Sequence, residues 1–264
     1  MKTYSNIITL SKNKRGIWDF DTVKGCESGL LHSINGCYND CYAYKTAKRY
    51  GIDFSKSINR HFENYNHKQQ IIKMIEKIDM PFIRIGCSGD PSEDWEHTIS
   101  IIEQLKNSNQ HTLFPLESRK QIVIITRHWK LLTENQLSRL KKYNVCINTS
   151  VSALDSNELI QNSLKQYNRL KPYCKSVLRV VTCDFNKENK TGYQLDLIQK
   201  ELLKNELVID TVFRPSKNNT LITNSIINTK KMSFMKSKSL VSKNNKKAFL
   251  GKCANCIEMC GINM

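Results

Sequence analysis

Hydrophobic positions along the chain follow two different patterns. Short continuous runs rich in β-branched residues occur at 18–23, 82–86, 122–126, 145–151, 177–182 and 207–213. Runs of that length and type predict strands buried on both faces. Between them, apolar residues recur at helical spacing, as with Ile99, Ile101, Ile102 and Leu105. Helices are predicted over 42–50, 67–78, 94–105, 131–142, 155–170 and 191–204. Six strands alternating with helices predict an α/β domain of parallel βαβ units with right-handed crossovers. An open doubly wound sheet and a closed or partial barrel both satisfy that order. In either, chemistry collects at the C-terminal ends of the strands.

The polar and small residues fall where that rule puts an active face. Cys26, Cys37 and Cys41 follow the first strand, and the turn from Gly86 through Cys87, Ser88, Gly89 and Asp90 to Pro91 follows the second. Thr126, Arg127 and His128 follow the third, Ser150 and Ser152 end the fourth, and Arg214 follows the sixth. Arg127, His128, Arg179 and Arg214 are candidates for holding anionic groups. Beyond residue 216 the pattern changes. The stretch 214–252 carries ten Lys/Arg and no Asp or Glu, with many Ser, Thr and Asn, and reads as a basic extension. The chain therefore divides into 1–216, the α/β unit, and 217–264, the basic extension with a cysteine-rich end.

Ten cysteines in a chain without an evident export signal point to metal binding rather than disulfides, because the cytosol keeps thiols reduced. Two tight groups stand out. Cys26, Cys37 and Cys41 have the spacing Cys-x10-Cys-x3-Cys, and three thiolates on one loop can hold three irons of a [4Fe–4S] cluster, leaving the fourth open. A zinc site would need a fourth ligand, and His32 lies within the loop. Cys253, Cys256 and Cys260 crowd eight residues near the C-terminus and imply a second iron–sulfur cluster or a zinc ion. Cys174 or Cys183 could complete that site. Cys87 and Cys146, in strand-like apolar settings, read as small packed hydrophobes.

The stretch from Trp18 to Cys26, then Gly36-Cys37, Cys41-Tyr42-Ala43, Ala47 and Arg49, resembles the three-cysteine signature of radical-SAM-like proteins of bacteriophage and prophage type. The spacing departs from the Cys-x3-Cys-x2-Cys of radical SAM enzymes at large; counted from Cys37, the third position would be Tyr44. The resemblance implies a partial (βα)6 TIM-like barrel of parallel strands with a [4Fe–4S] cluster on Cys26, Cys37 and Cys41. It implies S-adenosylmethionine bound by the turn Ser88, Gly89, Asp90 and Pro91 and, at the ribose, by Ser150 or Ser152. It further implies an electron donor and reductive cleavage of S-adenosylmethionine to a 5′-deoxyadenosyl radical.

Lys and Arg exceed Asp and Glu by 41 to 24, a formal charge of +17, which places nucleic acid first among polyanionic partners. A reading from a different class is a zinc-stabilised nucleic-acid-binding protein without catalysis. No apolar run approaches the ~18 residues of a membrane span, and the N-terminus has no apolar stretch of secretory type, so a cytoplasmic protein without membrane contact is expected.

Overall fold

A computed structural model describes residues 2–13, 15–106, 119–213, 215–228, 232–234, 240–242, 256 and 258–264. Its centre is a seven-stranded sheet, mostly parallel and flanked by helices. In chain order the sheet strands are β1 (Ser11–Lys12), β2 (Trp18–Asp19), β5 (Phe82–Ile85), β6 (Gln121–Thr126), β7 (Val145–Ser152), β8 (Lys175–Thr182) and β9 (Val208–Val212). A separate antiparallel pair, β3 (Val23–Lys24) and β4 (Ile58–Asn59), interrupts the first crossover. β1 is antiparallel to β2, and from β2 to β9 every neighbouring pair in the sheet is parallel.

The helices are α1 (Glu27–His32), α2 (Tyr42–Arg49), α3 (Tyr65–Glu76), α4 (Trp95–Lys106), α5 (Glu134–Leu140), α6 (Asn157–Leu170), α7 (Lys190–Leu202) and the single turn α8 (Thr220–Thr223). Their starts follow local capping chemistry. Asn64, Ser156 and Asn189 each accept a backbone N–H of the first turn, and Thr133 and Gln136 form a reciprocal capping box ahead of α5.

The spatial order of the six parallel strands equals their chain order. Right-handed crossovers then carry the connecting helices to one face, unlike a doubly wound sheet, where the direction reverses midway. The side chains agree. Ile83, Ile85, Ile122, Ile124, Val145 and Ile147 form one core with Ile72, Ile75, Ile99, Ile102, Leu137 and Leu140 of the helices. The strand register puts a different set on the opposite face: Asp19, Arg84, Val123, Cys146 and Lys175 are lateral neighbours, as are Ser150, Arg179 and Ile209. One face is thus apolar and covered by helices, and the other carries most of the polar strand residues.

Residues beyond 216 also pack on the α/β unit. Ile227 is buried with Ala153, Cys183, Phe185 and Phe213, and residues 259–262 lie against the polar face of the sheet. Among the described residues no helix is long and apolar enough to cross a membrane.

Candidate functional site

The cysteine loop and the turn after β5 are joined at one point. Gly25 and Gly89 form an isolated parallel bridge, and the Gly25 N–H donates to the Ser88 carbonyl at 3.1 Å. Behind this junction the buried carboxylate of Asp21 accepts three backbone N–H groups, from Gly86 (3.1 Å), Cys87 (2.8 Å) and Ser88 (3.0 Å). Asp21 explains why the predicted strand 18–23 is broken into β2 and β3: the chain turns to present this side chain.

The three thiols are free and come from three differently held positions. Cys26 precedes α1, whose first turn is capped by Glu93 through Ser28 N (2.8 Å) and Ser28 Oγ (3.0 Å). Cys37 opens a 3₁₀ turn in which Tyr38 has φ 58°. Cys41 precedes α2, and the amides of Ala43 and Tyr44 face its sulfur. Glycines bring the sulfurs inward: a Cβ on Gly29 would lie 2.7 Å from Cys26 Sγ, and one on Gly36 would lie 2.6 Å from Cys41 Cβ. Cys26 and Cys37 are within electrostatic reach of each other, as are Cys37 and Cys41.

Burial pushes all three thiols up, and Cys37 to about 11. The Arg127 guanidinium opposes this at Cys37 and Cys41, and the two amides at the start of α2 help at Cys41. Buried uncharged thiols of this kind ionise on taking up a metal, because the cation supplies the missing counter-charge. Among the described residues no three His, Cys, Asp or Glu side chains are gathered closely enough to chelate one metal ion. A cubane cluster suits a wider triad, since each cysteine binds its own iron corner. His32, the candidate fourth ligand of a zinc site, is exposed, with its ring 5.4 Å from that of Trp129.

Around the triad stands a buried polar frame. Arg127 donates from Nη2 to Asp155 at 2.5 Å and from Nη1 to the Tyr38 hydroxyl, and its guanidinium lies over the rings of Tyr38 and Trp129 at 5.1 and 5.2 Å. Burial opposes its charge, but Tyr38, Cys37 and Asp155 hold its pKa well above the ordinary value. Asp40, between Cys37 and Cys41, pairs with Lys45 and accepts from the Ser216 amide and from Asn219 Nδ2 (3.3 Å). The loop is thereby tied to the start of the basic extension.

The expected S-adenosylmethionine residues divide into occupied and free groups. The Asp90 carboxylate is taken up by Ser92 N (2.9 Å), Ser92 Oγ (2.8 Å), Thr126 Oγ1 (2.7 Å) and Arg127 N (2.8 Å), so it serves the loop rather than facing outward. Gly89 is packed against the backbone of Val23 to Gly25, and Pro91 is buried at the start of a short 3₁₀ turn. The Ser88 hydroxyl is half-exposed with no partner among the described residues. Ser152 Oγ donates to the Val181 carbonyl at 2.7 Å, whereas the Ser150 hydroxyl stays unpaired among the described residues. His128 is buried with its Nε2 3.0 Å from Thr149 Oγ1, away from any anion role. Arg179 shares the polar sheet face with Ser150; Arg214 lies outside the described residues.

Of the second cysteine group, Cys253 lies outside the described residues. Cys260 sits in a turn laid on the polar sheet face, its carbonyl accepting from Asn148 Nδ2 at 3.0 Å with Cys146 Sγ 3.8 Å away. Lys175 Nζ holds the same segment through the carbonyls of Ile262 (2.8 Å) and Met264 (2.6 Å). Cys174 packs against the same core as Cys260, but Cys183 is buried in a separate cluster with Phe185 and Phe213. Cys146 packs in the main core as its sequence setting suggests, with its thiol beside the Cys260 carbonyl. Sequence reasoning passes over Asp21, Tyr38 and Asp155. A spacer tyrosine and two lone acids carry no motif, and only their partners reveal them.

Comparison with family models, with curated proteins and with solved structures found no match to the chain.

Proposed function

We propose that the chain is a radical SAM enzyme built on a partial (βα)6 barrel. In this reading Cys26, Cys37 and Cys41 hold three irons of a [4Fe–4S] cluster, and S-adenosylmethionine takes the fourth. The observation that carries the reading is the bridge between Gly25 and Gly89. It joins the cysteine loop to the turn after the second parallel strand, which supports a common site for the three thiols and the half-exposed Ser88. The chain-order arrangement of six parallel strands supports the barrel.

When bound, the cluster with S-adenosylmethionine supplies one-electron cleavage of the sulfonium to methionine and a 5′-deoxyadenosyl radical. The chain's residues have the supporting roles. Asp21 and Asp90 hold the two loops, the Arg127–Tyr38–Asp155 group fixes the segment between Cys37 and Cys41, and the Ser88 and Ser150 hydroxyls are the free polar groups for the cofactor. We place nucleic acid or a nucleotide first among substrates, on the formal charge of +17. The C-terminal cysteines Cys253, Cys256 and Cys260 are assigned to a second iron–sulfur cluster or zinc ion.

The test is EPR of the anaerobically purified, dithionite-reduced protein with and without S-adenosylmethionine, scored beside 5′-deoxyadenosine release. A [4Fe–4S]⁺ signal that shifts on addition of S-adenosylmethionine is expected in the wild type and is lost in Cys41→Ala. A colourless protein carrying only zinc overturns the assignment.

A further inference from the structure

Two buried N–H groups beside the cysteine triad have no acceptor among the described residues: the indole Nε1 of Trp129 and the Nε of Arg127. Buried donors are almost always paired, and leaving one unpaired is costly. Two such orphans, two residues apart in one loop, therefore call for a partner that binds there.

We propose that Trp129 Nε1–H and Arg127 Nε–H donate hydrogen bonds to sulfur atoms of the group held by Cys26, Cys37 and Cys41, and thereby raise its reduction potential. This rests on the iron–sulfur reading above. The two residues border different cysteines. Trp129 borders Cys26: its Cζ2, adjacent to the pyrrole edge that bears the N–H, and Cys26 Sγ both lie within 4 Å of the point where a side chain on Gly29 would begin. Arg127 is close enough to Cys37 for its guanidinium to act on that thiol, and its Nη1 bonds the hydroxyl of Tyr38, the next residue in the loop. Each Nη already has a partner, Tyr38 or Asp155, whereas Nε has none among the described residues.

The loop is built to direct them so. His128, between the two, has φ 55°, and its ring goes instead to Trp95 and Thr149. The amides of Arg127 and Trp129 are fixed at 2.8 Å by Asp90 Oδ2 and at 2.9 Å by Ser92 Oγ. Arg127 and Trp129 also stack, so each restrains the other. Hydrogen bonds to cluster sulfurs favour the more negative, reduced state and are one of the protein's means of setting the potential. Neither residue binds iron in this scheme; both are positioning residues that tune the cluster.

The experiment is an EPR-monitored redox titration of reconstituted protein without S-adenosylmethionine, after iron analysis. Trp129→Phe keeps the ring and removes the N–H. Arg127→Lys keeps the charge facing Asp155 and removes Nε; the bond to Tyr38 that it also loses is controlled for by Tyr38→Phe. Trp129→Phe and Arg127→Lys are each expected to lower the reduced-to-oxidised ratio at a fixed potential about tenfold, ~59 mV for a one-electron couple, with iron content unchanged. Trp95→Phe is the indole control, because its N–H already donates to the Lys130 carbonyl at 2.8 Å. Unchanged potentials in both site variants, or equal shifts in the controls, overturn the inference. A wild-type protein that takes up no iron overturns the reading beneath it, and the iron analysis separates the two failures.

Discussion

Gly89 stands so close to Gly25 that a Cβ on it would lie 2.6 Å from the Gly25 carbonyl oxygen, and equally near that of Val23. The obstruction is backbone on both sides, so no rotamer change relieves it. Gly89→Ala is expected to push the cysteine loop away from the turn after β5, destabilising the fold by about 1–3 kcal/mol. It should lower the Tm and reduce iron bound per chain. A variant with wild-type Tm and full iron would show that the junction is not needed to shape the site.

Asp90 and Ser88 lie two residues apart in that turn but have opposite circumstances. Asp90 accepts four hydrogen bonds and Ser88 Oγ none among the described residues. Asp90→Asn should therefore act on stability, costing about 1–3 kcal/mol through donors left facing an amide N–H₂. Ser88→Ala should leave stability within about 0.5 kcal/mol and weaken S-adenosylmethionine binding. Urea unfolding and calorimetric titration separate the two effects. The reverse pattern would make Asp90 the ligand and Ser88 the structural residue.

The strands and helices were legible because their signals are local. Observed β6, β7 and β9 differ from the predicted spans by at most one residue at either end, and α4 and α6 by at most two. α3 begins two residues early because Asn64 caps it, and α5 is shorter than its apolar pattern because Thr133 sets its start. Strand order was not legible. Nothing in a βα repeat states whether the sheet reverses direction, which is why a doubly wound sheet stayed open until the register was seen. β1 was also invisible, since Ser11–Lys12 has no apolar pattern and pairs only through backbone.

Of the candidate site, the cysteine group and the turn around Gly89 stand out in the sequence, and the structure joins them at Gly25 and Gly89. The function of Asp90 was not legible. A carboxylate in such a turn can face a ligand or its own loop, and only the positions of Ser92 and Thr126 decide between them. Arg127 likewise reads as one candidate among several arginines until Tyr38 and Asp155 are seen around it.

Burial lowers the His128 pKa to about 3, from an unfolded value of ~6.5. The folded state therefore keeps this imidazole neutral while the unfolded chain takes up a proton. Its contribution to stability is complete above pH ~6.5 and is lost as pH falls towards 3, at about 1.4 kcal/mol per unit. Urea midpoints measured from pH 7 to pH 5 should fall more steeply in the wild type than in His128→Asn, which has no titratable group and tolerates the positive φ. Parallel pH profiles in the two proteins would mean that other groups, such as the hydrogen-bonded Asp94, account for the acid sensitivity.

Gly261 locks the C-terminal segment onto the polar face of the sheet. It has φ 92°, and a Cβ there would meet Val177 Cγ2 at 2.6 Å. Gly261→Ala thus combines backbone strain with a clash against a buried strand residue, and should destabilise the fold by about 1–3 kcal/mol. The local consequence is more specific. Cys146 is fully buried, beside the Cys260 carbonyl, and lifting the segment would expose its thiol. Alkylation of Cys146, followed by mass spectrometry under native conditions, should speed up in Gly261→Ala and in Lys175→Met, which removes the charge that holds the Ile262 and Met264 carbonyls. The rate at Cys183, buried in a separate cluster, should not change. Equal acceleration at both cysteines would indicate general loosening of the fold, and no acceleration at either would show that Cys146 is shielded by the sheet alone.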